Sequence, residues 1–190
     1  MNNLNTINEV RILTIRQPFA SLMLHGKIET RTWSTKYRGP VLIHAGLIPF
    51  KWNQVLEYSS TDQFDEMCDL FRHYNIDKYC GHAIAVGNLV DCRSMRKADE
   101  TKAFVQWSSS LYSFVFEDVK SIVPFQIRGT QGFRRLTPVE IEKIEYSIEP
   151  CSKCGGKDFR TIPFGTYGHP ITTCNDCYIK ATHKNEQQSN

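Results

Sequence analysis

Two pairs of closely spaced cysteines constrain the last part of the chain more than any other feature does. Cys151 and Cys154 form one pair, Cys174 and Cys177 form the other, and together they read C-x2-C-x19-C-x2-C. Each pair can turn two thiolates toward one ion, and four thiolates complete the tetrahedral shell that Zn2+ prefers. Because this shell has no open position for a substrate, the spacing predicts one structural zinc ion. Two reversible disulfides or four free thiols are the alternative.

The segment between the two pairs predicts a hairpin. Phe159 and Ile162 precede a glycine-rich turn and Ile171 follows it, which is typical of a zinc ribbon. We expect this module at residues 148–180, followed by a flexible polar tail at residues 181–190. A segment this short cannot bury enough apolar surface by itself, so the metal would supply its folding free energy.

Composition and charge place the chain in a broad class. The net charge is only +3 and the seven cysteines are an odd number, which disfavours a disulfide framework. Residues 1–9 are polar and lack the basic and apolar regions of a signal peptide, and nowhere is there an apolar run of membrane-spanning length. We therefore expect a cytoplasmic protein with no membrane partner and a flexible N-terminus at residues 1–9.

Strand-like segments dominate the rest of the chain. Short β-branched or alternating runs predict strands at residues 11–16, 27–33, 41–46, 82–92, 112–119 and 121–127. Pro124 within the last run indicates an edge strand or a break in the strand. Strands mixed with helices in this way predict an α+β domain, which we assign to residues 10–147.

Three helical regions interrupt these strands. Pro18 before FASLMLH and Gly26 after it predict a short helix with proline at its first position. Apolar residues three and four apart predict two helices in an insertion at about residues 49–79. Thr137 and Glu140 fit the two ends of a capping box at the start of a last short helix.

One stretch resembles a known family. The segment LTIRQPFASLMLHGKIETRTWSTKYRGPVLIHAG, with AIAVGNLVDC and SFVFEDVKSIVPFQIRGTQGF, is similar to the ASCH (activating signal cointegrator homology) domains. Their signature is G-x-K-x-x-E-x-R, and this chain is two residues shorter between Gly26 and Glu29. Glu29 and Arg31 match the signature. Lys27 corresponds either to the signature lysine or to the variable position before Ile28.

The resemblance implies a PUA-like mixed β-barrel with flanking helices, and a cleft near the first helix that acts on nucleic acid or nucleotides. The residues support a binding face, because cations and aromatic rings together suit phosphate neutralisation and base stacking. A solvated face with internal ion pairs is the alternative. The candidate RNA-binding residues are Arg16, Gln17, Lys27, Glu29, Arg31, Trp33, Lys36, Tyr37, Arg38, Arg128 and Gln131.

Three functions compete at this point. The first is an RNA- or nucleotide-binding module of RNA metabolism or of modified-nucleoside recognition. The second is an ASCH-type hydrolase, a ribonuclease or an acyl-cytidine amidohydrolase, with catalytic candidates Lys27, Glu29, His44 and Tyr37. In that case Thr30 is the nearest nucleophile, although strand alternation places it opposite Lys27 and Glu29. The third is an adaptor whose helical insertion docks a protein partner.

Overall fold

The chain divides into two compact units, residues 1–146 and residues 147–190. The computed structural model describes residues 9–71, 79–146, 159–162 and 171–174. The predictions of a flexible N-terminus and a flexible tail lie outside the described residues, apart from Glu9. Among the described residues, no helix is both long and apolar enough to cross a membrane.

The first unit is a mixed α+β unit built on one curled, six-stranded half-barrel sheet. Its strands are β1 (Arg11–Ile15), β2 (Glu29–Arg31), β3 (Gly39–Ala45), β4 (His82–Ser94), β5 (Tyr112–Gln126) and β6 (Phe133–Arg135). Their order across the sheet is β2-β5-β4-β3-β1-β6. Only β1 and β3 pair in parallel, and the other neighbours are antiparallel.

Within residues 9–71 and 79–146, five α-helices accompany these strands. They are α1 (Phe19–Leu22), α2 (Trp52–Tyr58), α3 (Thr61–Phe71), α4 (Glu100–Ala103) and α5 (Pro138–Ile141). A 3-10 turn extends α1 to His25, where Gly26 ends it with a φ of 79°. Pro18 is the N-cap of α1 and not its first helical residue, so the helix begins one residue later than predicted. Thr137 and Glu140 form the predicted capping box of α5.

The prediction of two strands between residues 112 and 127 is wrong, because one continuous strand, β5, covers this stretch. It pairs with β4 over most of its length, and register shifts absorb extra residues. Ala83 faces Phe125 while Ala85 faces Ser121, so Pro124 lies in one of these irregularities. A bulge does not require the ladder N–H that proline lacks, which explains why the strand continues through it.

Both faces of the central strands are buried. In β3, Val41 and Ile43 pack into the larger core cluster, beneath α1, while Leu42 between them packs into a second cluster on the other face. In β1, Leu13 and Ile12 divide between the two clusters in the same way. Successive side chains of a strand point to opposite faces, so strands covered on both sides have continuous apolar sequences.

The described residues of the second unit form an antiparallel strand pair, β7 (Phe159–Ile162) with β8 (Ile171–Cys174). This pair lies between the two cysteine pairs, where a hairpin was predicted. Phe159 is in register with Cys174, and Ile162 with Ile171. Of the four predicted zinc ligands, Cys151, Cys154 and Cys177 lie outside the described residues, and only the backbone of Cys174 is described.

Candidate functional site

A cleft of about 600 Å3 opens beside the first helix. The end of β1, the start of α1 and the segment through β2 form its floor. Residues around α2 and the loop between α4 and β5 form its walls. Its lining includes Thr14, Ile15, Arg16, Phe19, Lys27, Glu29, Thr30, Arg31, Thr32, Trp33, Phe50, Glu57, Tyr58, Val105, Gln106, Trp107, Ser108, Ser110 and Leu111. This volume suits a small organic ligand.

The floor carries a buried ion cluster made of Lys27, Glu29 and Arg31, which we call the floor cluster. Lys27 Nζ donates to Glu29 Oε2 at 2.8 Å, and Arg31 Nε lies 3.1 Å from Glu29 Oε1. The side chains of Lys27 and Glu29 are 2% and 7% exposed, and that of Arg31 is 25% exposed. Alternation along the strand places these three side chains on one face, as the sequence predicts.

The floor cluster has more donors than its own acceptors satisfy. Lys27 Nζ also donates to the Ile28 carbonyl at 2.9 Å, and Arg31 Nη2 donates to the Thr14 carbonyl at 2.6 Å. Arg31 Nε is buried without hydrogen-bond geometry to any partner in the described part of the chain, despite its short distance to Glu29. With two cations and one carboxylate, the cluster carries a formal charge of +1. It therefore offers donors and positive charge to a ligand.

Burial and ion pairing act on Lys27 in opposite directions. Desolvation lowers the pKa of Lys27 from its ordinary value, while the neighbouring Glu29 carboxylate raises it; burial is the larger effect. Phe19 lies below the ammonium, with 5.2 Å between Nζ and the ring centroid. Lys27 is thus held at the bottom of the cleft, where its protonated form is less favoured than in water.

Aromatic side chains form the walls. The rings of Phe19 and Phe50 meet edge to face at 5.7 Å, and Phe50 packs against Tyr58 at 5.6 Å. The Arg16 guanidinium lies over Phe50, 3.8 Å from its centroid. Trp33 also lines the cleft and is anchored to the core, since its ring packs edge-on against Phe114 at 5.1 Å.

Thr30 lines the same cleft as Lys27 and Glu29, although strand alternation predicted that it would be separate. β2 is an edge strand of only three residues. Residues on both sides of so short a strand can reach one cleft, which is why the alternation argument failed here.

The second predicted group, Lys36, Tyr37 and Arg38, is absent from the cleft lining. The Tyr37 hydroxyl donates to the Pro40 carbonyl at 2.8 Å, and burial is the main cause that raises the pKa of Tyr37 to about 12. Arg38 pairs with Asp91 at 3.3 Å. Tyr37 is thus hydrogen-bonded to the backbone outside the cleft lining, and its catalytic role stays a prediction.

His44, a catalytic candidate of the hydrolase alternative, is buried and does not line the cleft. Its Nδ1 lies 3.2 Å from Thr14 Oγ1, and the backbone of Gly129 packs so close that a Cβ there would come within 2.6 Å of the ring. Desolvation lowers the pKa of His44. The parallel pairing of β1 with β3 sets Thr14 beside His44, and the Gly129 loop covers both.

The remaining candidates lie elsewhere. Gln17 is fully buried and its Oε1 accepts from the Ser21 N–H at 3.1 Å, which ties it to α1. Arg128 and Gln131 line a separate depression beside Gly129. Arg134, which also lines this depression, is already engaged by both oxygens of Glu140, at 2.8 and 3.0 Å.

Four residues of the cleft were not predicted from the sequence: Phe19, Phe50, Tyr58 and Trp107. Phe50 and Tyr58 come from the helical insertion, and Trp107 comes from the loop before β5, so only long-range packing brings them to the cleft. A tryptophan in the otherwise polar run QWSSS is the one local signal that could have found the last of them.

Comparison of the sequence with protein-family models and with curated proteins identified no relative. In the described part of the chain no group of three or more His, Cys, Asp or Glu side chains is placed to hold a metal ion. The resemblance to the ASCH family therefore stays a prediction from the motifs around Glu29 and Arg31.

Proposed function

We propose that this chain is an RNA- or nucleotide-binding protein of the ASCH type, and that the cleft receives a nucleobase. The observation that carries the proposal is the floor cluster, a buried and incompletely paired set of charges at the bottom of an aromatic-walled cleft. A structural ion pair gains nothing from an adjoining cavity, whereas a binding site requires one.

The chemistry of the cleft matches a nucleobase in two respects. The floor offers N–H donors and a formal charge of +1, so it favours a ligand with carbonyl or phosphate oxygens. The walls offer the rings of Phe50, Tyr58 and Trp33, so they favour a flat aromatic ligand. Nucleobases combine carbonyl acceptors with a planar ring, and their phosphates complement the positive charge.

The direct test is binding of a labelled, mixed-sequence single-stranded RNA at several salt concentrations. Lys27→Met keeps the apolar stem but removes the charge, and we expect it to weaken binding about tenfold or more, since a hydrogen bond to a charged group contributes about 1.5–3 kcal/mol. Lys120→Met is the matched control, because Lys120 is exposed, lies outside the cleft and is not among the candidate RNA-binding residues. An absence of RNA and nucleotide binding at low salt by folded protein would refute the proposal.

A hydrolase is the second candidate, because Lys27 has a lowered pKa and Thr30 lines the same cleft. In this version Lys27 acts as a base toward the Thr30 hydroxyl or a water molecule. Glu29 orients Lys27, since both of its oxygens already face cations. Release of acetate from N4-acetylcytidine, lost in both Lys27→Met and Thr30→Val, would support this version. Binding without turnover would eliminate it.

We also propose that the half-barrel sheet is PUA-like and that the second unit is a zinc ribbon. The strand pair supports the ribbon, because its register sets Cys174 opposite Phe159, only five positions after Cys154. We expect one zinc ion per chain by elemental analysis, and less than half of that in Cys151→Ser/Cys154→Ser. A full chain purified under reducing conditions without metal would contradict the ribbon. Cytoplasmic location and a protein partner at the insertion stay predictions.

A further inference from the structure

Planar side chains surround the mouth of the cleft. We define the aromatic rim as Phe50, Tyr58 and Trp107, with the Arg16 guanidinium stacked on Phe50. Tyr58 and Trp107 are 46% and 45% exposed, so large apolar faces point to solvent at the edge of the cleft. The floor cluster does not use these faces, and neither does a ligand small enough to lie on the floor alone.

Trp107 is fixed in place although it is exposed. Its backbone N–H donates to Glu100 Oε1 at 2.6 Å, and its indole Nε1 donates to the Met95 carbonyl at 3.0 Å. The neighbouring Gln106 N–H donates to the Tyr58 carbonyl at 2.7 Å, which joins the two walls of the cleft. A rigid ring loses little conformational entropy when a ligand binds to it.

The rim can make only a few kinds of contact with a ligand. The polar atom of the indole is already satisfied by Met95, so what Trp107 presents to a ligand is its π face and apolar edge. Arg16 adds a cation at the same rim, held by the carbonyls of Ile48 and Pro49 at 3.0 and 2.9 Å. A flat ring next to a phosphate satisfies this combination, and nucleotides joined in a strand repeat it.

We infer that the ligand is a single-stranded nucleic acid, with one base on the floor of the cleft and the adjacent base stacked on Trp107. This inference rests on the proposed function and deepens it, because a free nucleoside would occupy the floor and leave the rim empty. Base-paired strands would not fit, since their bases are already stacked and cannot enter the cleft. Stacking on one aromatic side chain should tighten binding between about fivefold and a hundredfold.

The experiment compares one nucleotide with a strand of the same nucleotide. Calorimetry first ranks the four nucleoside monophosphates, and then measures a single strand of about six nucleotides that repeats the preferred base, together with its duplex. For the wild-type chain we expect the strand to bind at least about fivefold tighter than the monophosphate, and the duplex to bind more weakly than the strand.

Three variants assign this gain to the rim. Trp107→Ala should lose most of the strand's advantage and keep monophosphate affinity within about twofold, while Trp107→Phe should retain much of the advantage because it keeps a ring. Trp52→Ala is the matched control, since Trp52 is 41% exposed and packs on Phe64, away from the cleft lining. The melting temperature of each variant checks its folding.

The outcomes separate the two proposals. If the monophosphate binds but the strand gains nothing, or if Trp107→Ala weakens both equally, the rim inference falls and the proposed function stands. If the duplex binds as tightly as the strand, stacking on Trp107 is wrong. If neither probe binds the wild-type chain at low salt, both proposals fall together.

Discussion

Two buried carboxylates in this molecule are similarly exposed but differ in the hydrogen-bond partners that surround them. Glu29 is 5% exposed and Asp99 is 6% exposed, and each is paired with arginine. Asp99 receives two hydrogen bonds from Arg93, at 2.5 and 2.8 Å, one from the Arg96 N–H and one from the Ser113 hydroxyl. Glu29 receives its contacts from Lys27 and Arg31, whose donors exceed its oxygens.

The difference separates a closed network from an open one. Around Asp99 a bidentate arginine, a backbone N–H and a hydroxyl hold the carboxylate, with Arg93 as the main cause that lowers its pKa. Such a network fixes the segment that leads to α4 and to Trp107. The floor cluster lines a cavity, and its Arg31 Nε has no hydrogen-bond partner in the described part of the chain. Buried charge thus stabilises the fold at one place and, on our account, serves recognition at the other.

Breaking the closed network should give the largest effect on stability. Asp99→Ala leaves Arg93 without its main partner and removes the cap on the Arg96 N–H, so we expect the free energy of unfolding to fall by about 3–5 kcal/mol. Urea unfolding at neutral pH measures it. Asp91→Ala is the control, because Asp91 also contacts Arg93 but its side chain is 45% exposed, and its loss should cost less than about 1 kcal/mol. Equal losses in the two variants would contradict a special role for Asp99.

In the floor cluster, the loss of unfolding free energy should depend on which charge is removed. Glu29→Gln leaves two cations without a carboxylate, one of them buried, and we expect a loss of about 3 kcal/mol. Lys27→Met should cost less, because Glu29 keeps Arg31.

The loss in Glu29→Gln should also shrink as the pH rises. Burial lowers the pKa of Lys27 below its ordinary value of 10.5 and the Glu29 carboxylate raises it, so Glu29→Gln should lower this pKa further. The folded variant then binds fewer protons than the folded wild type, and its stability rises more steeply with pH up to 10.5. Urea unfolding at several alkaline pH values measures this slope. A loss independent of pH would mean that Glu29 does not raise the pKa of Lys27, which would contradict the pairing of these two groups in the floor cluster.

The smallest effect concerns a third carboxylate, near the surface. Arg134 is the main cause that lowers the pKa of Glu140 to about 2. Its contribution to stability is therefore complete above the unfolded value of 4.5 and is lost as the pH falls toward 2. Arg134→Gln should return the pKa of Glu140 toward 4.5 in an NMR titration of its carboxyl carbon. An unchanged pKa would assign the shift to the helix cap at Thr137 instead.

Local patterns predicted what local geometry controls. The period of a strand placed Lys27, Glu29 and Arg31 on one face, and Pro18 with Gly26 bounded α1 almost correctly. The same period misplaced Thr30, because β2 is too short for its two faces to be separated.

Features set by long-range packing could not be predicted in this way. The apolar sequence around His44 predicts a strand but does not reveal which face of it the Gly129 loop covers. The burial of His44 against Thr14 could therefore be learned only from the fold. Tyr37 looked like a ligand contact for the same reason, since nothing near it in sequence reveals the carbonyl of Pro40 as an acceptor. The rim residues Tyr58 and Trp107 are far apart in sequence, and only the fold brings them together at the cleft.

The most direct test of the open floor cluster is the RNA affinity of two arginine variants measured side by side by fluorescence anisotropy. Arg31→Gln removes a cation from the open cluster, and Arg93→Gln removes one from the closed network; both are assayed well below their melting temperatures. We predict that Arg31→Gln weakens binding of single-stranded RNA about tenfold or more, while Arg93→Gln stays within about threefold of the wild-type affinity although it lowers stability. Wild-type affinity in Arg31→Gln would contradict the account.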